Sequence, residues 1–163
     1  MRLAIISDVH DNIWSLARVL KAISEERAEV LLVCGDLCAP FSLRAIADGF
    51  PKPVYVVFGN NDGDQLHLCE VAVKAGNVAL HSFLVEETLD GAKVAIVHYP
   101  EVGTRLAAAG EFQAVFYGHS HVAEMKTING CLALNPGEVM GRFGRVTYAI
   151  YDTRTGLADI REV

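Results

Sequence analysis

Three short apolar runs, each halted by a cluster of Asp, His, Asn or Gly, constrain the fold of this chain more than any other feature of its sequence. Residues 3–7 (LAIIS) stop at Asp8-Val9-His10-Asp11-Asn12, residues 30–34 (VLLVC) at Gly35-Asp36, and residues 54–58 (VYVVF) at Gly59-Asn60-Asn61-Asp62. None of the three alternates apolar with polar residues, so each suits a strand covered on both faces. Between the first two, Ile13, Leu16, Ala17, Leu20 and Ile23 recur at helical spacing, which predicts a helix over residues 13–26 capped by Asn12 or Asp11. A shorter helix is expected over 42–48, before the Pro51-Lys52-Pro53 breaker, and a weakly amphipathic one over 64–75. Strands alternating with helices predict a parallel α/β sheet, and open sheets of that kind carry their sites at the carboxyl ends of the strands.

The second half is β-rich. Residues 83–89 and 93–97 flank Asp90-Gly91, and residues 123–128 and 131–134 flank Asn129-Gly130, two hairpin signatures. His98 follows the first hairpin directly, after which a helix over 104–109 and a strand over 114–117 lead into Gly118-His119-Ser120-His121. On an extended segment His119 and His121, two apart, face one point in space. Strands over 145–151 and 157–163 complete the chain. The order predicts an α/β fold of four layers, an α-β-β-α sandwich of two mixed sheets flanked by helices, in one domain spanning residues 1–163.

Composition narrows the partners. With 52% apolar and 21% charged residues the chain is an ordinary globular sequence, and a net charge of −6 provides no global field for nucleic acid or an anionic membrane surface. Any phosphate ligand must therefore be held by local positive charge. The first apolar run is too short for a signal peptide and no stretch approaches membrane-spanning length, so a cytoplasmic location is expected. Cys34, Cys38, Cys69 and Cys131 read as buried thiols; Cys34 and Cys38 lack the second pair that a zinc site of this spacing needs.

Collected in order, the strand-end residues are Asp8, His10, Asp36, Asn60, His98, His119 and His121. Imidazole nitrogen mixed with carboxylate oxygen suits Mn²⁺, Ni²⁺, Fe²⁺, Zn²⁺ or Co²⁺. Seven such groups exceed what one ion needs, and with one carboxylate shared they suffice for two ions roughly 3.5–4 Å apart. Two divalent ions outweigh the carboxylates of Asp8 and Asp36 and a bridging hydroxide, which leaves a positive pocket on an acidic protein. Taken singly, each residue has a plainer explanation as a helix cap, a turn or a hydrogen-bonded core histidine. Taken together, at the ends of successive apolar runs, they do not.

In this arrangement the sequence resembles the calcineurin-like metallophosphoesterases, and among them the small single-domain bacterial and archaeal phosphodiesterases. The shared elements are Asp8-Val9-His10, Gly35-Asp36, Gly59-Asn60 with Asp62, His98, and Gly118-His119-Ser120-His121, in the same order along the whole chain. The resemblance implies that Asp8, His10 and His121 hold one divalent transition metal ion, that Asn60, His98 and His119 hold a second, and that Asp36 bridges them, with Mn²⁺ favoured. It further implies hydrolysis of a small phosphate ester by a metal-activated hydroxide. Asp36 and Asn60 are then the catalytic residues, Asn12 and Asn61 substrate contacts, and Asp62 a support behind the ligands. Homo-oligomerisation stays open.

The sequence also departs from the family. Asn61 stands where many members carry a histidine that protonates the leaving oxygen, and an amide cannot supply that proton. Tyr99 follows His98 in place of a glycine, and Glu138 follows Asn135-Pro136-Gly137 in place of a serine. Residues 141–145 (GRFGR) read as a loop, His67 and His81 as surface or packing residues, and Trp14 as packing. The rival reading is a phosphoesterase fold serving as a protein-binding scaffold, similar to the retromer subunit of that fold; it predicts lost ligands or an exposed apolar patch, and all seven positions here keep ligating chemistry.

Overall fold

The chain's apolar runs are buried on both faces because they are sandwiched between two different cores. In chain order the computed structural model, which describes residues 1–163, forms β1 (Arg2–Ile6), α1 (Ile13–Glu25), β2 (Val30–Val33), α2 (Pro40–Gly49), β3 (Val54–Val57), α3 (Gln65–Ala75) and β4 (Val78–His81). There follow β5 (Val85–Leu89), β6 (Ala92–Ile96), α4 (Pro100–Ala109), β7 (Ala114–Phe116), β8 (Glu124–Ile128), β9 (Cys131–Asn135), β10 (Thr147–Asp152) and β11 (Leu157–Glu162). One sheet has six strands in the order β11-β10-β1-β2-β3-β4, the other five in the order β5-β6-β7-β9-β8. Both are mixed: β1 to β4 run parallel, β10 pairs antiparallel with β1 and β11 antiparallel with β10, while β6, β7 and β9 run parallel between antiparallel β5 and β8.

The strand pleat sorts the side chains. Ala4 and Ile6 of β1 face the helices and pack with Leu16, Val19 and Ile23 of α1, while Leu3 and Ile5 face the second sheet and pack with Val94, Ile96, Phe116 and Leu134. A third cluster, with Val97, Val115, Tyr117 and Ala133, lies under Ala107 of α4. The layers are thus helix, sheet, sheet, helix. No helix is long and apolar enough to cross a membrane.

Several elements differ from the sequence reading, each for a physical reason. The strand β4 went unanticipated: it is an edge strand, half-buried throughout, marked only by the three apolar residues Val78 to Leu80 directly after a helix. Both α2 and α4 start earlier than helical periodicity indicates, because Pro40 and Pro100 sit at the first helical turn, where a missing N–H costs nothing. Asn12 caps α1, accepting from Ser15 N at 3.1 Å; Asp11 instead serves the start of α2, accepting from Ala39 N at 2.9 Å and Ser42 Oγ at 2.7 Å. Trp14 is not packed but 76% exposed, Cys69 is exposed and Cys38 half-buried. The Asn129-Gly130 hairpin has the left-handed pair (φ 49° and 82°) that a two-residue turn between twisted strands requires.

Ile5, fully buried between the sheets, and exposed Trp14 provide a matched test. Ile5→Ala is expected to lower unfolding free energy by about 2–5 kcal/mol, and Trp14→Ala to change it by less than about 0.5 kcal/mol, both read from urea midpoints at constant m-value.

Candidate metal centre

The loops that follow β1, β2, β3, β6 and β7 all leave the sandwich at one end, and they are welded to each other by main-chain hydrogen bonds. Asp8 N donates to Gly35 O at 3.1 Å and His10 N to Asp36 O at 3.0 Å; Gly118 N reaches His98 O at 2.9 Å, and Met140 N reaches Asp8 O at 2.9 Å. Asp62 organises two of these loops from behind: its Oδ1 accepts from Leu37 N (2.7 Å) and Cys38 N (2.8 Å), its Oδ2 from Gly59 N (2.7 Å) and Asp36 N (3.1 Å). The approach is so close that a Cβ on Gly59 would stand 2.6 Å from Asp36 N, and one on Gly118 would stand 2.8 Å from Asp8 Oδ2. That is why a glycine precedes Asn60 and another precedes His119.

Two groups of donors result. The ligand atoms of Asp8, His10 and His121 lie within 4.8 Å of one another, and so do those of Asp36, His98 and His119. Asp8 Oδ1 is 3.7 Å from His10 Nε2 and 3.4 Å from His121 Nε2. Asp36 lies between the groups, its Oδ2 3.4 Å from His10 Nε2 and 3.5 Å from His98 Nε2. Asn60 Oδ1 is 3.0 Å and His119 Nδ1 3.2 Å from His98 Nε2. Atoms bound to one ion at 2.0–2.2 Å in tetrahedral or octahedral array are about 3–3.5 Å apart, so these spacings suit ligands of a common cation.

The donor set also asks for positive charge. Asp8 and Asp36 are buried, and neither is paired with a lysine or arginine. Asp8 Oδ1 and His10 Nε2 are buried with no hydrogen-bond partner, an uncommon and costly state for polar atoms. His98 Nδ1 donates to Cys34 O at 2.7 Å, so a neutral ring presents a bare Nε2 lone pair toward Asn60 Oδ1 and Asp36 Oδ2, acceptors facing an acceptor. Either a proton or a cation resolves this. His10 is accordingly raised above the usual histidine pKa, chiefly by the Asp8 carboxylate beside its ring, against burial. For His98 burial is the largest influence and pulls downward, but Asp36 and the Cys34 carbonyl outweigh it and the net shift is upward. Burial pushes Asp36 up, yet hydrogen bonds from His98 and Asn61 prevail and hold it well below the carboxylate range. The residues fit a pair of divalent cations.

The backbone differs from the sequence reading at one important place. The Gly118 to His121 segment is not extended: His119 (φ 68°) and His121 (φ 60°) are left-handed, as are Asp8 (55°), His10 (43°) and Asp36 (56°). The two imidazoles lie in different donor groups, the division the resemblance implied, but they reach it through left-handed backbone and not through an extended segment. His119 N donates to Asp8 Oδ2 at 3.0 Å, and Asn135 Nδ2 donates to Gly118 O at 2.8 Å, which holds the loop in this shape. Such conformations cost about 1–3 kcal/mol each and gather where the surrounding structure imposes them for function.

The structure brings all seven predicted ligand residues together, with Asp62 behind them. Asn12 has its amide engaged at both ends, capping α1 through Oδ1 and donating from Nδ2 to Met140 O at 2.8 Å. Asn61 is turned inward, its N and Nδ2 donating to Asp36 Oδ1 and Oδ2, both at 2.8 Å. His67 and His81 lie outside both groups. Sequence reasoning passed over Glu138, whose Oε2 is 2.5 Å from His121 Nδ1; its signal was a glutamate where the resembled family has serine. Cys38, with Sγ 3.5 Å from His10 Nδ1, was also passed over; burial pushes its thiol up to about 12, so it stays protonated.

Comparison with known proteins finds similarity along nearly the whole chain. The profile of the calcineurin-like phosphoesterase superfamily domain matches residues 1–156. A phosphodiesterase of Methanocaldococcus jannaschii is 26% identical over 156 residues, which cover 94% of this chain and 93% of the relative. A solved structure described as a novel archaeal phosphodiesterase superposes with a TM-score of 0.92 at 24% identity, over 100% of both chains. Vps29 of Chaetomium thermophilum superposes with a TM-score of 0.71 at 14% identity, over 100% of this chain and 97% of that one. At these identities the two structures speak for the fold alone.

The four N–H groups that converge on Asp62 make its charge state structural. In Asp62→Asn one end becomes a donor facing two donors, so unfolding free energy should fall by about 1–3 kcal/mol or more, measured by chemical denaturation beside the wild type.

Proposed function

The chain belongs to the calcineurin-like phosphoesterase superfamily, and on that premise we propose that it is a phosphodiesterase that works with two divalent transition metal ions, Mn²⁺ favoured, on a small phosphate ester. The observation that carries this reading is the meeting of the two donor groups at Asp36, whose Oδ2 faces His10 on one side and His98 on the other. In our assignment Asp8, His10 and His121 hold one ion, Asn60, His98 and His119 the other, and Asp36 contributes to both. When bound, such ions supply Lewis-acid polarisation of the phosphoryl group and generate a nucleophile from water near neutral pH.

The chain's own residues do the rest. Two divalent ions outweigh the two ligating carboxylates, Asp8 and Asp36, so a phosphate is drawn to the ions although the protein is acidic. Asn60 and His119 are exposed while Asp8, Asp36 and His98 are buried, which puts the open side of the centre, and the entering ester, at the Asn60 and His119 edge. With Asn60 Oδ1 turned toward His98, the free Nδ2 hydrogens are available to a phosphoryl oxygen, where developing charge strengthens the hydrogen bond. Asn61 brings no transferable proton to the leaving oxygen. That absence forgoes a general-acid contribution typically of about 10²–10⁴ and favours esters whose leaving group departs as a stable anion.

A scaffold role is the second reading, favoured by the fold shared with Vps29 and by the exposed Trp14, Leu66 and Val73. Against it stands the retention of every ligating residue. The two diverge in one experiment. Chelator-stripped protein reloaded with Mn²⁺ or Ni²⁺ should hydrolyse an activated aryl phosphodiester, with rates that fall steeply as leaving-group pKa rises, and Asp36→Asn should reduce turnover to background. Metal-loaded protein that binds two ions yet hydrolyses nothing across a panel of mono- and diesters would support the scaffold.

A further inference from the structure

Glu138 is 2% exposed, forms no ion pair with lysine or arginine, and holds two short hydrogen bonds that run to different parts of the molecule. Its Oε2 lies 2.5 Å from His121 Nδ1, and its Oε1 accepts from Phe143 N at 2.6 Å. A carboxylate has no hydrogen to offer, so the proton between Glu138 and His121 belongs to Nδ1. That leaves His121 Nε2 bare and directed at Asp8 Oδ1, 3.4 Å away. The second hydrogen bond acts on the loop of residues 141–145. Phe143 stands edge-on to His121 with ring centroids 5.7 Å apart, and the Arg142 guanidinium lies 5.3 Å from the Phe143 ring. Between His121, Glu138, Phe143 and Arg145 this leaves a cavity of about 220 Å³ beside the centre.

We propose that Glu138 is a positioning residue that orients His121 toward a cation and, through its other oxygen, fixes the 141–145 loop, so that one buried carboxylate sets both the half-site of Asp8, His10 and His121 and the wall next to it. This role presupposes the cation pair proposed above, but the orientation of His121 and of the loop does not. A serine at this place, usual in the resembled family, has one short hydroxyl and reaches neither partner at these distances. A glutamine is the more incisive replacement: it has a single acceptor oxygen for two converging donors, so either His121 or the loop must lose its bond.

The experiment uses the full chain, stripped of metal with chelator. Nitrogen-15 imidazole spectra of the wild type should place the His121 proton on Nδ1, and amide exchange should show the Phe143 N–H protected. Glu138→Gln should disturb at least one of these two signals. Calorimetric titration with Mn²⁺ alone should then show one of two binding events weakened about 10–100-fold, as for other carboxylates that orient metal-bound histidines, with the second event unchanged. A wild-type His121 proton on Nε2, an unprotected Phe143 amide, or two unchanged affinities in Glu138→Gln would overturn the assignment. If Glu138→Gln fails to fold, the wild-type tautomer and exchange measurements decide it alone. Should the wild type take up no Mn²⁺, the dinuclear reading fails separately, while the tautomer and exchange results still judge Glu138.

Discussion

Asp36 is buried between two clusters of nitrogen and oxygen atoms, and the convergence of lone pairs around it is the constraint that the surrounding structure answers. Its Oδ1 accepts from Asn61 N, while its Oδ2 lies close to His10, His98 and the Asn61 amide at once. Placing a carboxylate there without a lysine or arginine partner is unfavourable unless a proton or a cation joins it. The upward shifts of His10 and His98 and the downward shift of Asp36 are three expressions of that demand.

The scaffold meets the demand with rigid backbone. Each donor sits just past the carboxyl end of a strand held in one of two sheets, and five of the seven candidate ligands, all but Asn60 and His98, adopt left-handed φ values. Such residues would relax if the loops were free. They are not: Asp62 collects N–H groups from two loops, the Asn135 amide holds a third, and main-chain bonds join the loops after β1 and β2 residue by residue. Conformational strain at the centre is thus balanced by hydrogen bonds a few ångströms behind it, the usual division between a reactive site and its support.

Orientation of the rings follows the same logic. His98 is turned by the Cys34 carbonyl, His121 by the Glu138 carboxylate, and His10 has Cys38 Sγ beside its Nδ1, so that in each case Nε2 faces the interior of the centre. His119 alone presents Nδ1, which the left-handed turn at that residue makes possible. The three partners are of unlike chemistry, a main-chain oxygen, a carboxylate and a thiol; Cys34 and Cys38 come from the loop between β2 and α2, and Glu138 from the one after β9. Their common effect is to select one nitrogen per ring.

What the sequence alone determined is what local pattern can encode. Runs such as VLLVC and VYVVF carry apolar side chains at both parities of the pleat, so they specify strands between two cores, and the paired sheets with outer helices follow from that. The polar residues at the strand ends were legible as one set because a parallel sheet delivers all its carboxyl ends to one side. Tertiary structure decided the rest. The edge strand β4 has only three apolar residues to mark it and exists by pairing with β3. The separation of His119 from His121 arises from left-handed backbone imposed by Asp8 and Asn135, residues far away in the chain. The bond from Asn12 to Met140 O and those of Glu138 to His121 and Phe143 N were not legible, because a side chain's partner is set by which loops meet in space, through directional contacts of about 3 Å that no spacing along the chain records.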